Sequence, residues 1–181
     1  NPPTAMTISN SALHCPSNRV RVTIDDVKNA SGTVLTGTFQ YQITLPAASA
    51  TAYQSSNVFT NLAPGTYTFR VKDANNCTAT TVHTINPLPV FTVSGSVVSD
   101  VKCLGDVNGS ASFTVSNLGN GVAYTYRIDG GAVQSATSPT AGTTFTIAAP
   151  NLAAGLHSIT VTNTGTNCPV TADVTIAAPT A

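Results

Sequence analysis

Apolar and small polar residues alternate along much of this chain, in short runs that are separated by turns. Six runs place an apolar side chain at every second position: 20–24, 39–45, 67–71, 111–115, 124–128 and 159–161. A period of two puts successive side chains on opposite faces of a strand, and Gly, Pro, Asn or Asp residues at the ends of the runs favour turns. Thr, Val and Ile also fit a pleated sheet better than a helix. The pattern predicts an all-β protein of antiparallel sandwiches.

The chain also repeats itself. Segment 1–9 matches segment 86–94 without a gap, and the turn sequence NLAPG at 61–65 returns as NLAAG at 151–155. In the same register Cys15 and Cys77 match Cys103 and Cys168. We therefore predict two tandem domains of about 90 residues, 1–87 and 88–181, each large enough for one small sandwich with its own core.

The four cysteines divide as two per copy, and four cysteines allow three pairings. We favour Cys15–Cys77 with Cys103–Cys168, because this pairing makes each copy self-contained and places equivalent residues in equivalent bonds. One intradomain disulfide in each domain indicates an oxidising, extracytoplasmic compartment. A metal site and two free buried thiols per copy are the alternatives, although the sequence lacks the close Cys and His spacing of a metal site.

Composition excludes several classes of partner. The 181 residues include seven basic and seven acidic side chains, 30 threonines and no glutamate. Scattered single cations cannot neutralise a phosphate backbone, so we expect no nucleic-acid partner. The apolar runs are far shorter than the roughly 20 residues that cross a bilayer, so we expect a soluble segment without membrane insertion, and any leader or anchor would lie outside it.

Few side chains are candidates for chemistry. Asp106 and Asn108, and separately Asp25 and Asp26, are weak candidates for a calcium site, since calcium takes six to eight oxygen ligands. Asp-x-Asn-Gly is also ordinary turn chemistry, and we predict no cofactor. No nucleophile motif or convergent carboxylate pair is present, so we predict no enzymatic activity. Tyr53 is the one aromatic residue not explained by inward alternation and is a weak candidate for binding a sugar.

Tyr67 follows Gly65 by two residues, like the tyrosine that closes a corner in immunoglobulin-type sandwiches. His157 takes the equivalent position in the second copy, and we expect a structural role for it.

Several motifs together resemble a known family. They are CLGDVNGS at 103–110, YTYRIDGG at 124–131 and NLAAG at 151–155, with the first copy matching over 61–77. The chain resembles the SprB-type repeats of giant surface adhesins in gliding Bacteroidota. It departs from them at 16–19, where a glycine-containing turn is replaced, at an insertion-like stretch over 46–56, and at His157, where the family usually has tyrosine.

The resemblance implies Ig-like domains in long arrays, export by the type IX secretion system through the outer membrane, and movement along the cell surface. We therefore expect a non-enzymatic segment of a large extracellular adhesin, acting as a stalk and a multivalent adhesive surface in attachment and gliding motility. Its expected partners are neighbouring repeats of the same chain and an extracellular surface or polysaccharide. The alternative is a carbohydrate-binding accessory module of a secreted enzyme.

Overall fold

The computed structural model describes residues 1–179 and is built almost entirely of β-strands. Within these residues a short 3₁₀ turn at Ala47–Ser49 is the single helical element. Every pair of neighbouring strands is antiparallel, which confirms the all-β class. The 13 strands are β1 (Ala5–Asn10), β2 (Val20–Lys28), β3 (Gln40–Leu45), β4 (Val58–Leu62), β5 (Gly65–Lys72), β6 (Thr78–Ile85), β7 (Thr92–Ser99), β8 (Gly109–Ser116), β9 (Ala123–Ile128), β10 (Gln134–Thr137), β11 (Thr144–Leu152), β12 (Gly155–Asn163) and β13 (Cys168–Ile176).

By their internal contacts the described residues form two compact units. The first unit comprises Asn1–Leu13 and Ser17–Leu88, and the second comprises His14–Pro16 together with the chain from Pro89 onward. The first unit contains two three-stranded sheets, in the orders β1-β2-β4 and β3-β5-β6. The second contains a three-stranded sheet, β11-β8-β7, and a four-stranded sheet, β10-β9-β12-β13.

Each unit has its own apolar core, to which both of its sheets contribute. In the first unit Phe69 on β5 is fully buried, and its ring lies 5.2 Å from that of Phe59 on β4 of the other sheet. In the second unit Phe113 on β8 is fully buried and packs in one cluster with Ile159 of β12. Alternation along β2, β5, β8 and β12 supplies eight of the eleven largest fully buried side chains, because every second side chain of a strand faces the same side.

The predicted alternation fails at one position. The run 39–45 predicts that Leu45 faces inward with Ile43, but Leu45 is 56% exposed whereas Ile43 is 1% exposed. The pairing of β3 with β5 shifts register between these two residues. A one-residue shift sends the following side chain to the opposite face, so Leu45 faces the solvent.

The two units differ in the segment that lies next to β3 in the first unit and next to β9 in the second. In the second unit β10 pairs with β9 along four residues and extends the sheet. In the first unit the same part of the chain forms the 3₁₀ turn and an isolated bridge between Tyr41 and Gln54. This difference coincides with the insertion-like stretch over 46–56. Among the described residues no helix is long and apolar enough to span a membrane.

Candidate functional site

The cysteines are not paired as the repeat predicts. The structure joins Cys15 to Cys168, with the two Cα atoms 4.9 Å apart, and leaves Cys77 and Cys103 as exposed free thiols. The predicted bonds Cys15–Cys77 and Cys103–Cys168 are therefore wrong. The physical reason is that segment 14–16 belongs to the second unit, where the Cys15 N–H donates a hydrogen bond to the Thr166 carbonyl at 2.9 Å. That contact places Cys15 beside Cys168, within the range a disulfide can bridge.

The turns that carry Cys77 and Cys168 are built alike. In the β5–β6 turn the Asp73 carboxylate accepts hydrogen bonds from the backbone N–H groups of Asn75 and Cys77, at 2.9 and 2.8 Å. In the β12–β13 turn the Asn163 side-chain oxygen accepts from Gly165 and Thr166, at 2.9 and 3.2 Å. Asp and Asn side chains favour such turns because they can replace a backbone acceptor.

The residue before each of these cysteines is an asparagine with positive φ. Asn76 has a φ of 64° and Asn167 a φ of 56°. Asparagine tolerates this left-handed conformation better than most residues. Each turn therefore presents its cysteine at the same point, one residue past a left-handed asparagine.

The two free cysteines differ from the two bonded cysteines in their exposure, and each has a distinct surface beside it. Cys103 is followed by Leu104, whose side chain is 87% exposed, and Val107 nearby is 61% exposed. Near Cys77, the turn residues 73–75 line a cavity of about 180 Å³ together with residues 35–39 and Asn1. Cys15 and Cys168 are half-buried, whereas Cys77 and Cys103 are exposed.

The repeated NLA-x-G sequence forms a corner before the strands β5 and β12. In the first unit the Tyr67 hydroxyl donates a hydrogen bond to the Ala63 carbonyl, four residues earlier, at 2.9 Å. Asn61 has a φ of 64° and Gly65 a φ of 153°, so the chain reverses here through conformations that favour Asn and Gly. Tyr67 is 5% exposed and packs into the core. The predicted corner tyrosine is confirmed.

His157 occupies the equivalent corner in the second unit. Its Nε2 lies 2.9 Å from the Ala153 carbonyl, matching the tyrosine contact residue for residue. Its Nδ1 lies 2.7 Å from a carboxylate oxygen of Asp129, whose other oxygen accepts from the Ser158 N–H at 2.8 Å. His157 therefore links the corner to the end of β9, as a structural residue.

These contacts shift both pKa values of the pair. The hydrogen bond to Asp129, followed by the one to Ala153, raises the pKa of His157 above its ordinary value. Burial by itself would raise the pKa of Asp129, but the hydrogen bonds from His157 and Ser158 hold it below its ordinary value. In the first unit burial lowers the pKa of His83, whose Nε2 lies 2.8 Å from the side-chain oxygen of Asn10.

The calcium candidates do not converge on one point. The Asn108 side-chain amide donates to Asp106 at 2.8 Å, and its oxygen accepts from the Lys102 N–H at 3.1 Å. Asp25 accepts a hydrogen bond from the Ser9 hydroxyl at 3.0 Å, and Asp26 is its neighbour on β2. Within residues 1–179 no group of three or more His, Cys, Asp or Glu side chains could hold a metal ion. The Asp106–Asn108 contacts are those of a turn.

Tyr53 is half-buried, and the ammonium group of Lys72 lies over its ring, 4.5 Å from the centroid. A cation in this position is attracted to the ring face. That face is therefore not open for stacking on a sugar, and the structure brings no second aromatic ring to Tyr53 among the ring contacts of the described residues.

Sequence reasoning missed the partner of Cys15 and the role of Asp129. The signal for Asp129 was present, because the loss of tyrosine at position 157 leaves an imidazole that needs a second polar partner. No signal in the sequence reveals that segment 14–16 belongs with the second unit, since its neighbours on both sides belong to the first.

No protein-family model matches the chain, and no curated protein matches it. Solved structures with some similarity include domains 4 and 5 of the S-layer protein SbsC, at 18% identity and a TM-score of 0.39, covering 98% of this chain and 100% of that one. Fibronectin(III)-like modules of Clostridium thermocellum CbhA reach 12% identity and a TM-score of 0.33, covering 95% of each chain.

A tetra-tandem repeat from the extending region of a large adhesion protein reaches 14% identity and a TM-score of 0.31; this chain matches over 94% of its length and spans 48% of that structure. At these values the similarities identify no family.

Proposed function

We propose that this chain is a non-enzymatic repeat segment of a large secreted cell-surface adhesin, and that it serves as a stalk and as a multivalent adhesive surface. The proposal includes the finer functions that the sequence resemblance implies: attachment, gliding motility and export by the type IX system through the outer membrane. The observation that carries it is the structural repetition. Two copies of one sequence pattern each form a two-sheet unit with its own core and the same corner before the last two strands.

Repetition of this kind suits a spacer more than a catalyst. Each additional repeat adds length without new chemistry, and weak contacts that recur along one chain add through their effective concentration. The disulfide supports a location outside the cytoplasm, because such bonds persist in oxidising compartments.

The surface of the first unit is also suited to many weak contacts. The exposed positions of β6 include Thr78, Thr80 and Thr84, and the hydroxyl of Thr84 lies 3.1 Å from that of Thr66 on β5. Neutral hydroxyl groups can donate and accept hydrogen bonds and do not repel an identical neighbouring surface. This face is one on which polysaccharide or another surface would be bound weakly and repeatedly.

The test is surface labelling of intact cells. Antibodies raised against this chain should label living, unpermeabilised cells, and a protease added outside should remove the label. A cytoplasmic protein labelled in parallel should become accessible only after permeabilisation. Deleting the parent gene should reduce attachment and gliding. Labelling that requires permeabilisation would refute the surface location, and unchanged attachment and gliding in the deletion strain would refute the adhesive role.

The accessory-module alternative is tested with the isolated chain. On a glycan array the adhesin segment should give no hit at the concentration where a known sugar-binding module saturates. A hit that the Tyr53→Ala variant loses, while the Tyr53→Phe variant, which retains the ring, keeps it, would favour the carbohydrate-binding module over the stalk.

A further inference from the structure

Two cysteines remain outside the function proposed above. The repeat register places Cys103 at the position of Cys15, after the first strand of its copy, and Cys77 at the position of Cys168, after the turn between the last two strands. Cys15 and Cys168 are bonded to each other, whereas Cys103 and Cys77 are free and exposed. The two free cysteines are therefore the repeat equivalents of the two cysteines that are bonded to each other.

The bonded pair shows how the two halves meet. Segment 14–16 joins the second unit at the β12–β13 turn, where the Cys15 N–H donates to the carbonyl of Thr166, two residues before Cys168. The β5–β6 turn is also held by a side-chain oxygen at its start, although it is one residue shorter. Asp73 accepts hydrogen bonds from the N–H groups of Asn75 and Cys77, and the residue two before Cys77 is Asn75. The equivalent acceptor for a docked Cys103 N–H is therefore the Asn75 carbonyl.

A hollow lies beside the turn that carries Cys77, and an exposed leucine lies beside Cys103. The cavity of about 180 Å³ beside the β5–β6 turn is lined by apolar groups of Leu35 and Phe39 as well as by Asn75. Cavities of about 150 Å³ hold a group the size of benzene. Leu104, adjacent to Cys103, is 87% exposed and is an aliphatic side chain of suitable size.

We propose that a second copy of this chain docks head to tail on the first, with a disulfide between Cys103 of one molecule and Cys77 of the next. Leu104 enters the cavity beside the β5–β6 turn, and the Cys103 N–H donates to the Asn75 carbonyl. The two surfaces differ from each other, so the contact is heterologous, and a bonded pair of molecules keeps one free Cys77 thiol and one free Cys103 thiol.

The bond forms by thiol–disulfide exchange with a small-molecule disulfide such as oxidised glutathione. The Cys103 thiolate attacks one glutathione sulfur and displaces the other as a thiolate. The Cys77 thiolate then attacks the Cys103 sulfur of this mixed disulfide and displaces the second glutathione. Two protein thiols are oxidised to one disulfide, one oxidised glutathione is reduced to two thiols, and the two protons pass to those thiols.

The test uses two single-thiol variants of the full chain. The Cys77→Ser variant keeps only the Cys103 thiol free, and the Cys103→Ser variant keeps only the Cys77 thiol free. The two are mixed in equal amounts, one with an affinity tag, and equilibrated in a buffer of oxidised and reduced glutathione. Non-reducing mass spectrometry then separates the three dimers.

Docking predicts that the heterodimer exceeds either homodimer by at least about ten-fold, because docked thiols have a high effective concentration. Random oxidation gives a heterodimer only about twice as abundant as each homodimer, as the statistics of pairing require. That ratio, or the absence of any dimer, would overturn the proposal. So would a wild-type monomer that loses both free thiols without gaining the mass of glutathione, because its two thiols would then be bonded to each other within one molecule.

A second variant tests the docking surface without removing a thiol. Leu104→Ser in the Cys77→Ser background should lower the heterodimer yield by about ten-fold, since it removes the apolar side chain that fills the cavity. Leu156→Ser is the matched control, because Leu156 is an exposed leucine of the same unit at 68% exposure. Equal heterodimer yields from the two leucine variants would show that Leu104 is not part of the interface. The fold of each variant is checked by circular dichroism and by the persistence of the Cys15–Cys168 bond.

Discussion

When the chain is pulled from its two ends, the length of chain that can extend should differ strongly with and without the Cys15–Cys168 bond. The bonded residues are 153 positions apart, so an intact bond shields almost all of the chain from a force applied at the termini. An extended residue spans about 3.3–3.6 Å, and reduction should therefore release roughly 500 Å of additional length. With the bond intact, only the residues outside it can extend, a length of about 100 Å.

The assay is single-molecule stretching with and without a reducing agent. The double variant Cys77→Ser, Cys103→Ser is the matched control, because it keeps the bond and prevents links between molecules. The self-contained pairing favoured by the sequence would instead lock two loops of 62 and 65 residues, and the oxidised chain could then extend by about 180 Å. An oxidised extension of that length would refute the Cys15–Cys168 bond, and full extension without reductant would refute any disulfide.

The same bond should contribute to the free energy of unfolding. In the chain-entropy model a loop of this length is worth about 5 kcal/mol, since closing it restricts the unfolded chain. Chemical denaturation with and without reductant measures this difference. The Cys15→Ser variant in oxidising buffer should unfold like the reduced wild type, and a variant as stable as the oxidised wild type would contradict the assignment.

Three further predictions concern the corners and the packing of the second unit. Tyr67→Phe removes the hydrogen bond to the Ala63 carbonyl and should lower the free energy of unfolding of the first unit by about 1 kcal/mol. His157→Tyr should remove a pH dependence of the second unit. Because the pKa of His157 is raised in the folded state, its protonation stabilises the fold. This stabilisation is fully present below pH 6.5, the ordinary pKa of histidine, and is lost as the pH rises through the folded pKa. Because the pKa of Asp129 is lowered in the folded state, its carboxylate stabilises the fold above pH 3.8, and this stabilisation is lost as the pH falls through the folded pKa. The pair therefore stabilises the fold most in mildly acidic solution. Gly109→Ala should destabilise the second unit by about 1–3 kcal/mol, because a Cβ there would lie 2.8 Å from a side chain of β13.

Hydrogen exchange followed by mass spectrometry assigns each effect to its unit. Peptides from β5 and β6 should report the loss in the tyrosine variant, and peptides from β12 and β13 the loss in the glycine variant. Thr92→Ala, at an exposed strand position, is the control for a small surface change. Because burial lowers the pKa of His83, the first unit should respond to pH in the opposite direction, so a whole-chain melting curve alone would mix the two effects.

Much of the fold was predictable from the period of the sequence. Alternation identified β2, β5, β8 and β12, because a strand with one buried face must place apolar side chains at every second residue. It failed at Leu45, where a register shift that no composition reveals turned the side chain outward. The corner was predictable because Gly65 and Tyr67 have the spacing of a corner tyrosine, and Gly155 and His157 keep that spacing in the second copy.

The sequence by itself determined the all-β class, the internal repeat and the chemical role of the corner residues, because these depend on local period and turn conformation. Only the tertiary structure decided which cysteines meet. Disulfide partners are chosen by distance between Cα atoms, and a contact of residue 15 with residue 166 is invisible to any local pattern. The same contact takes up the partners that the repeat predicted for Cys77 and Cys103, and it is the physical reason that equivalent cysteines end in different chemical states.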